Sequence, residues 1–255
     1  MAGADRVTEA RLALGLLDLT DLSDDATVAD IDALCAKAVE SRVAAVCVWP
    51  RFVGQAASAL VDSAVRIATV VNFPAGGEDA HEAVDETVAA LADGADEIDV
   101  VLPYRALLGG DLDTPRRLVA AVSELIERPR HLLKVILETG ELRDQDTIAL
   151  AARIAIESGA DFIKTSTGKT PVSATPEAAR TMLDVIRATS RPVGIKPSGG
   201  IRDVDAALVY LGLARDAMGS GWISPRTFRF GASGLRDALL AFIHGDEPAA
   251  AGSEY

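Results

Sequence analysis

Aromatic side chains are scarce in this chain: Phe, Trp and Tyr make up 4% of 255 residues, while hydrophobic residues reach 49%. Its core must therefore be built from Ala, Val, Leu and Ile, the side chains that commonly fill barrel interiors and the apolar faces of helices. Histidine is also sparse, with His81, His131 and His244 dispersed in polar segments. Without a His-rich cluster a zinc site is not expected, and a side-chain amine is a better candidate than a metal for activating a substrate; no metal and no cofactor is expected. The two cysteines, Cys35 and Cys47, have no metal-ligand or redox-motif spacing, which suits a reducing compartment. Basic residues are in deficit: 25 Lys and Arg face 38 Asp and Glu, giving a net charge of −13. That balance argues against a nucleic-acid partner, since phosphate backbones are bound by clustered cations. A chain this acidic that binds a phosphorylated substrate has to gather positive charge locally. Mean hydropathy is +0.21, yet no apolar run approaches the ~18 residues of a membrane span. Residues 1–6 do not read as a signal peptide, so no membrane partner and a cytoplasmic location are expected.

What the chain does have is alternation. Strands are expected at 16–20, 44–49, 66–73, 97–102, 132–138, 162–165, 193–196 and 228–230. Between them come helices: 7–15, one opened by Asp24-Asp25-Ala26-Thr27 with Ile31, Leu34, Cys35 and Ala38 on its apolar face, then 53–61, 79–92, 115–127, 144–158, 176–189, 204–217 and 235–243. Eight strands alternating with helices favour a closed parallel α/β barrel, for which ~250 residues is a usual length; a doubly wound open sheet is the competitor. No linker or composition break divides the chain, so residues 1–255 are expected to form one domain. The segment 246–255 reads as a small, polar, mobile tail.

Parallel strands are covered on both faces and should be nearly unbroken apolar runs. Asp18, Asp99, Lys134, Glu138, Lys164 and Lys196 interrupt such runs. Each buried charge needs a partner, and a shared barrel interior supplies one. Residues near the C-terminal strand ends face the site built by the following loops. Taken singly, Lys134 reads as an ion-pair member, Glu138 as a loop cap and Cys47 as a small buried hydrophobe. The stretch 161–170 is different. It places Lys164 in a short apolar strand followed by Thr165-Ser166-Thr167-Gly168-Lys169, an arrangement suited to an amine nucleophile beside an anion site.

Imine formation is the chemistry that fits a buried pair of lysines. With an ordinary pKa near 10.4, only about one lysine in a few thousand is unprotonated at neutral pH. A second ammonium at ~6 Å, with an effective dielectric of about 20, contributes about 2.8 kcal/mol of repulsion, or about two pKa units. Desolvation pushes the same way. Lys164 and Lys196, on neighbouring strands, are placed to do this to each other, although spacing does not say which is the nucleophile. For a phosphate, Gly199-Gly200 follows strand seven and Gly231-Ala232-Ser233-Gly234 follows strand eight. Loops there form the recurrent phosphate site of such barrels, and Lys169 and Arg202 would add charge.

Four motifs make the chain recognisable: Glu97-Ile98-Asp99-Val100-Val101 with Pro103-Tyr104-Arg105; Leu133-Lys134-Val135-Ile136-Leu137-Glu138-Thr139-Gly140; Phe162-Ile163-Lys164-Thr165-Ser166-Thr167-Gly168; and Lys196-Pro197-Ser198-Gly199-Gly200-Ile201-Arg202. With Leu17-Asp18-Leu19-Thr20 and the terminal tyrosine, they resemble the deoxyribose-phosphate aldolase family along nearly the whole length. The resemblance implies a single (β/α)8 TIM barrel with a short N-terminal helix and a flexible C-terminal tail. It also implies a homodimer, and a class I aldolase that reversibly cleaves 2-deoxy-D-ribose 5-phosphate to acetaldehyde and D-glyceraldehyde 3-phosphate, in deoxyribose phosphate catabolism. By the same resemblance Lys164 is the Schiff-base lysine, Lys196 keeps it deprotonated, and Asp99 shuttles protons through a water. Asp18, Cys47 and Lys134 line the substrate, and Tyr255 swings in on the tail. Thr167, Gly168, Lys169, Gly199, Gly200, Arg202, Gly231, Ser233 and Gly234 take the phosphate; where many relatives have a second serine, Gly234 leaves a backbone N–H. The rivals are another sugar-phosphate aldolase on the same barrel and a non-catalytic sugar-phosphate-binding protein, because a fold does not fix a function.

Overall fold

Short polar side chains mark where the helices begin. Thr27, Asp79, Asp144, Thr175 and Asp203 stand at N-caps with extended backbone, and their side chains accept hydrogen bonds from backbone N–H groups two or three residues on, satisfying donors the helix itself leaves open. The computed structural model describes residues 3–142 and 144–246. Its elements in chain order are α1 Gly3–Gly15, β1 Leu17–Asp21, α2 Val28–Ser41, β2 Ala45–Val48, α3 Val53–Ala59, β3 Arg66–Val71, α4 Ala80–Ala92, β4 Glu97–Val101, α5 Tyr104–Leu108, α6 Asp113–Glu124, β5 Leu132–Ile136, α7 Thr139–Leu142, α8 Gln145–Glu157, β6 Phe162–Lys164, α9 Pro176–Ala188, β7 Gly194–Lys196, α10 Val204–Met218, β8 Phe230–Ala232 and α11 Leu235–His244.

The strands pair in parallel in the order β7-β6-β5-β4-β3-β2-β1-β8. The ring closes through an irregular β7–β8 seam, where isolated bridges join Ile195 to Phe228 and Ser198 to Gly231. The architecture is a (β/α)8 TIM barrel preceded by a short N-terminal helix. Helices shield the outer face of the sheet. In α9, for example, Ala178, Ala179, Met182, Leu183 and Ile186 are buried, the spacing of one apolar face at 3.6 residues per turn. The expected shortage of aromatic filler shows at the barrel floor. Phe162 occupies it, and a methyl group at Gly194 on the neighbouring strand would run into its ring.

Two strand assignments need correction. The eighth strand is Phe230–Ala232 rather than 228–230, so Gly231 belongs to the strand and not to the loop after it. Its glycine answers to packing: a Cβ there would collide with Ser198 Oγ and meet Lys196 Cε at 3.0 Å. Strand five ends at Ile136 rather than at Glu138, because Glu138 takes a left-handed φ of 57°. The helices α5 and α7, five and four residues in length, fall where loops were expected. Tyr255 and the rest of the expected tail beyond 246 lie outside the described residues.

Candidate active site

Period-two alternation sends every second strand residue into the barrel, and here that interior is charged. Asp18 from β1, Glu97 and Asp99 from β4, Lys134 from β5, Lys164 from β6 and Lys196 from β7 are all buried, joined by Arg229 just before β8. Lys134 Nζ lies 2.6 Å from Glu97 and 2.7 Å from Asp99 Oδ1, with Asp18 at 3.6 Å. Lys196 Nζ lies 2.6 Å from Asp18 and 2.8 Å from Asp99 Oδ2. Lys164 Nζ donates to that same Oδ2 at 2.9 Å. At the floor, Arg229 bridges Asp18 at 2.6 Å and Glu97 at 2.9 Å.

The electrostatics follow from counting these groups. Four basic side chains face three carboxylates, so a fully ionised set would bury a net positive charge, which a low-dielectric interior disfavours. The group that yields is the one with least support. Lys164 is paired with a single carboxylate, and burial, with Lys196 adding repulsion, lowers its pKa despite Asp99. For Lys196 burial also opposes the charge, but Asp18 and Asp99 outweigh it and push the pKa up; Lys134 is likewise raised, by Asp99 and Glu97. Lys164 is also the lysine of the three with any solvent access, at 2% against 0% for the others. The two amines expected to meet do meet, across one shared carboxylate oxygen, and desolvation outranks mutual repulsion as the cause of the shift. Cys47 is fully buried among these groups, and burial raises its thiol pKa.

Burial likewise works against ionising the carboxylates, but the lysines and Arg229 prevail: Asp99 falls well below the ordinary range, and Asp18 and Glu97 are lowered too. The sign for stability follows. Unfolded carboxylates titrate near pH 4, so the folded state's advantage from these three is complete above about pH 4 and is lost as pH falls further through their depressed folded values. Urea melts should therefore give a flat midpoint from pH 7 down to about 5 and a steep decline below about 4. A midpoint that declined evenly from pH 7 would contradict the depressed values.

Above Lys164 the strand ends open into loops. Thr167 is tied to Glu138: its hydroxyl donates to the carboxylate at 2.5 Å and its N–H at 3.3 Å. Lys169 reaches over the mouth, donating to the Leu22 carbonyl at 2.9 Å with Asp24 at 3.3 Å and the Trp49 ring beneath. Gly168, Gly199 and Gly200 all have φ near 80°. Gly200, Arg202, Ser233 and Gly234 are exposed, with Gly234 at the N-cap of α11. Backbone donors at these turns and at that helix end suit an anion. The expected phosphate residues thus gather at one end, yet Thr167 and Lys169 are already engaged by other groups.

Glu97, Arg229 and Ser166 are among the buried polar groups that were not expected site residues. Glu97 lies two positions before Asp99 and so on the same strand face, a signal that period two carries. Arg229 is flanked by Phe228 and Phe230, which makes it the side chain facing the opposite way. The Ser166 hydroxyl, two residues beyond Lys164, is buried without a hydrogen-bond partner among the described residues.

Relatives place this geometry. Residues 12–241 match the model of the DeoC/LacD family aldolases. A curated deoxyribose-phosphate aldolase from Agrobacterium fabrum is 53% identical over 249 residues, covering 96% of each chain. Among solved structures, an aldolase named QR15 is 30% identical with a TM-score of 0.76, over 89% of this chain and 96% of its own. The tetrameric deoxyribose phosphate aldolase of Aeropyrum pernix is 26% identical with a TM-score of 0.79, over 94% of both. With a barrel of this topology, a lysine of lowered basicity inside it and a family match over most of its length, the chain belongs to the DeoC/LacD aldolase family.

Proposed function

We propose that this protein is a class I aldolase that cleaves 2-deoxy-D-ribose 5-phosphate to D-glyceraldehyde 3-phosphate and acetaldehyde through an imine on Lys164. The observation that carries the assignment of the nucleophile is the excess of one cation over carboxylates in the interior, resolved at Lys164. Its free amine attacks the C1 aldehyde of the open-chain sugar, and loss of water gives the protonated imine. Removal of the C3 hydroxyl proton then breaks the C2–C3 bond, and the electron pair flows to the imine nitrogen as an enamine. Asp99, held by the Lys134 and Lys196 ammonium groups, is a weak base by itself, so a water beside the Asp99–Lys196 pair takes that proton and later returns one to C2. Hydrolysis frees acetaldehyde and the amine.

The loops after β6, β7 and β8, with α11, hold the phosphate in this reading, and Asp18, Cys47 and Lys134 lie under the substrate. The whole chain acts as one catalytic domain, in the cytoplasm, as a homodimer; among the described residues no helix is long and apolar enough to cross a membrane. Acetaldehyde release measured across a panel of phosphorylated sugars checks the substrate. 2-Deoxy-D-ribose 5-phosphate should be cleaved with a kcat/KM at least about tenfold above any other member, since a missing or added polar group costs that much at a matched site. Faster cleavage of another sugar phosphate would reassign it.

A further inference from the structure

Glu138 stands out against its surroundings. It is fully buried, it is absent from the charge network below, and its backbone is left-handed with φ of 57°. That conformation is unfavourable for a residue with a long side chain and persists where surrounding contacts enforce it. The enforcing contacts all run to the loop after β6. One carboxylate oxygen accepts the Thr167 hydroxyl at 2.5 Å, and the other accepts the Thr170 hydroxyl at 3.2 Å. The Thr167 N–H points at both, 3.3 Å from each. Around it the exits of β5 and β6 are zipped by backbone bonds from Leu137 N to Lys164 O and from Thr139 N to Thr165 O, both 2.9 Å. Gly140 completes the contact, because a methyl group there would strike the Val172 carbonyl at the far side of the loop.

From Glu138 the connection runs on toward the anion site. Thr167 Oγ1, while donating to the carboxylate, accepts the N–H of Lys169 at 3.0 Å, and the Gly168 Cα packs 3.5 Å from where a Cβ of Gly199 would stand. The loop carrying Lys169 is thereby held between the β5 exit on one side and the β7 loop on the other.

We propose that Glu138 is a positioning residue for substrate phosphate: its carboxylate, aimed by the left-handed backbone, fixes the β6 loop so that Gly168, Lys169 and the Gly199-Gly200 turn share one anion site. Thr167 is then the relay between Glu138 and that site. The inference rests on the phosphorylated-substrate reading above.

The test compares wild type with Glu138→Gln, which turns one acceptor into a donor facing donors, and with Thr170→Val, which removes the hydroxyl shared between Glu138 and the Val172 carbonyl and leaves both Thr167 contacts to the carboxylate in place. Cleavage of 2-deoxyribose 5-phosphate and of unphosphorylated 2-deoxyribose is followed. Inorganic phosphate is titrated calorimetrically, and acetaldehyde with borohydride reports whether the Lys164 centre is intact. In Glu138→Gln the KM for the phosphorylated sugar and the phosphate Kd should both rise about tenfold, the effect of a hydrogen-bond set to a charged group. Its kcat, its kcat/KM for the unphosphorylated sugar and its adduct yield should stay within about twofold, and Thr170→Val should shift the same quantities two- to threefold. An equal loss on both sugars would make the carboxylate a general support, and tighter phosphate binding would make it a competitor for the loop donors; either overturns the proposal. Should Glu138→Gln fail to form the adduct, Thr170→Val decides. Should wild type bind no phosphate, the substrate reading fails, and amide exchange over residues 165–172 still judges Glu138: faster in both variants if it holds the loop, unchanged if it does not.

Discussion

Replacement of Lys164 by methionine is expected to lower cleavage of 2-deoxyribose 5-phosphate by about five orders of magnitude and to leave no borohydride adduct, because no other amine can take over the covalent route. The two remaining lysines are unsuited to it: Lys134 and Lys196 each rest on two carboxylates within 3 Å and have raised pKa values. The fold should survive. Asp99 keeps Lys134 and Lys196 as partners, and the variant removes the lysine whose charge burial disfavours on balance, the pKa of the other two being raised. Thermal unfolding should stay within about 1 kcal/mol of wild type or exceed it, since an apolar isostere often matches a buried ion. Acetaldehyde formation, adduct mapping and a melt measure the three outcomes together. An adduct persisting in the variant would move the nucleophile elsewhere, and a collapse of stability would show that Lys164 supports the network rather than being tolerated by it.

That division of labour explains how much of the site was legible in the sequence. Lys164, Lys196 and Asp99 were conspicuous because each interrupts an apolar strand, and a charge in such a run is informative whatever its partner. Which lysine reacts was legible from the motif resemblance but not from strand spacing, since the physical answer depends on how many carboxylates each amine touches, a property of the closed barrel. The same holds for cause: mutual repulsion of the amines was visible from strand adjacency, whereas the carboxylate oxygen between them and the dominance of burial were not. Glu138 read as a strand residue because Leu132 to Glu138 is continuous in pattern; nothing in the residue order announces a left-handed backbone. Gly231 failed for a related reason. A glycine pair spaced like Gly231 and Gly234 signals a turn, but here the first glycine clears space for Ser198 inside the strand, and tertiary contact overrides the local signal. Helix starts marked by a side-chain cap were read closely, because N-caps are local chemistry, whereas α1, expected from residue 7, begins at Gly3; strand spans were read to within a residue or two everywhere but the seam.

Arg229 illustrates the residue type hardest to place from sequence alone, and its removal should have the second large effect. It lies in a short Phe-Arg-Phe stretch expected as the eighth strand, with no role of its own in that reading, yet it is 3% exposed at the barrel floor and braces carboxylates from β1 and β4. Replacing it with methionine strips Glu97 of one of two cations within 3 Å and Asp18 of one of its closest partners. Breaking a buried pair in this way costs about 3–5 kcal/mol. Pairing the change with Glu97→Gln should recover part of that loss, because the uncompensated charge is then gone, and the recovery separates charge from packing. The count of charges makes a second demand on the same variant: with one cation fewer, three bases face three carboxylates, and Lys164 no longer has to give up its proton. The pH at which half of Lys164 forms adduct with acetaldehyde should therefore move to higher pH in Arg229→Met than in wild type. Denaturant melts of the single and double variants, with the adduct titration alongside, check both. A single variant as stable as wild type, or one whose adduct titration does not move, would mean that the floor of the barrel and its reactive mouth are electrostatically separate.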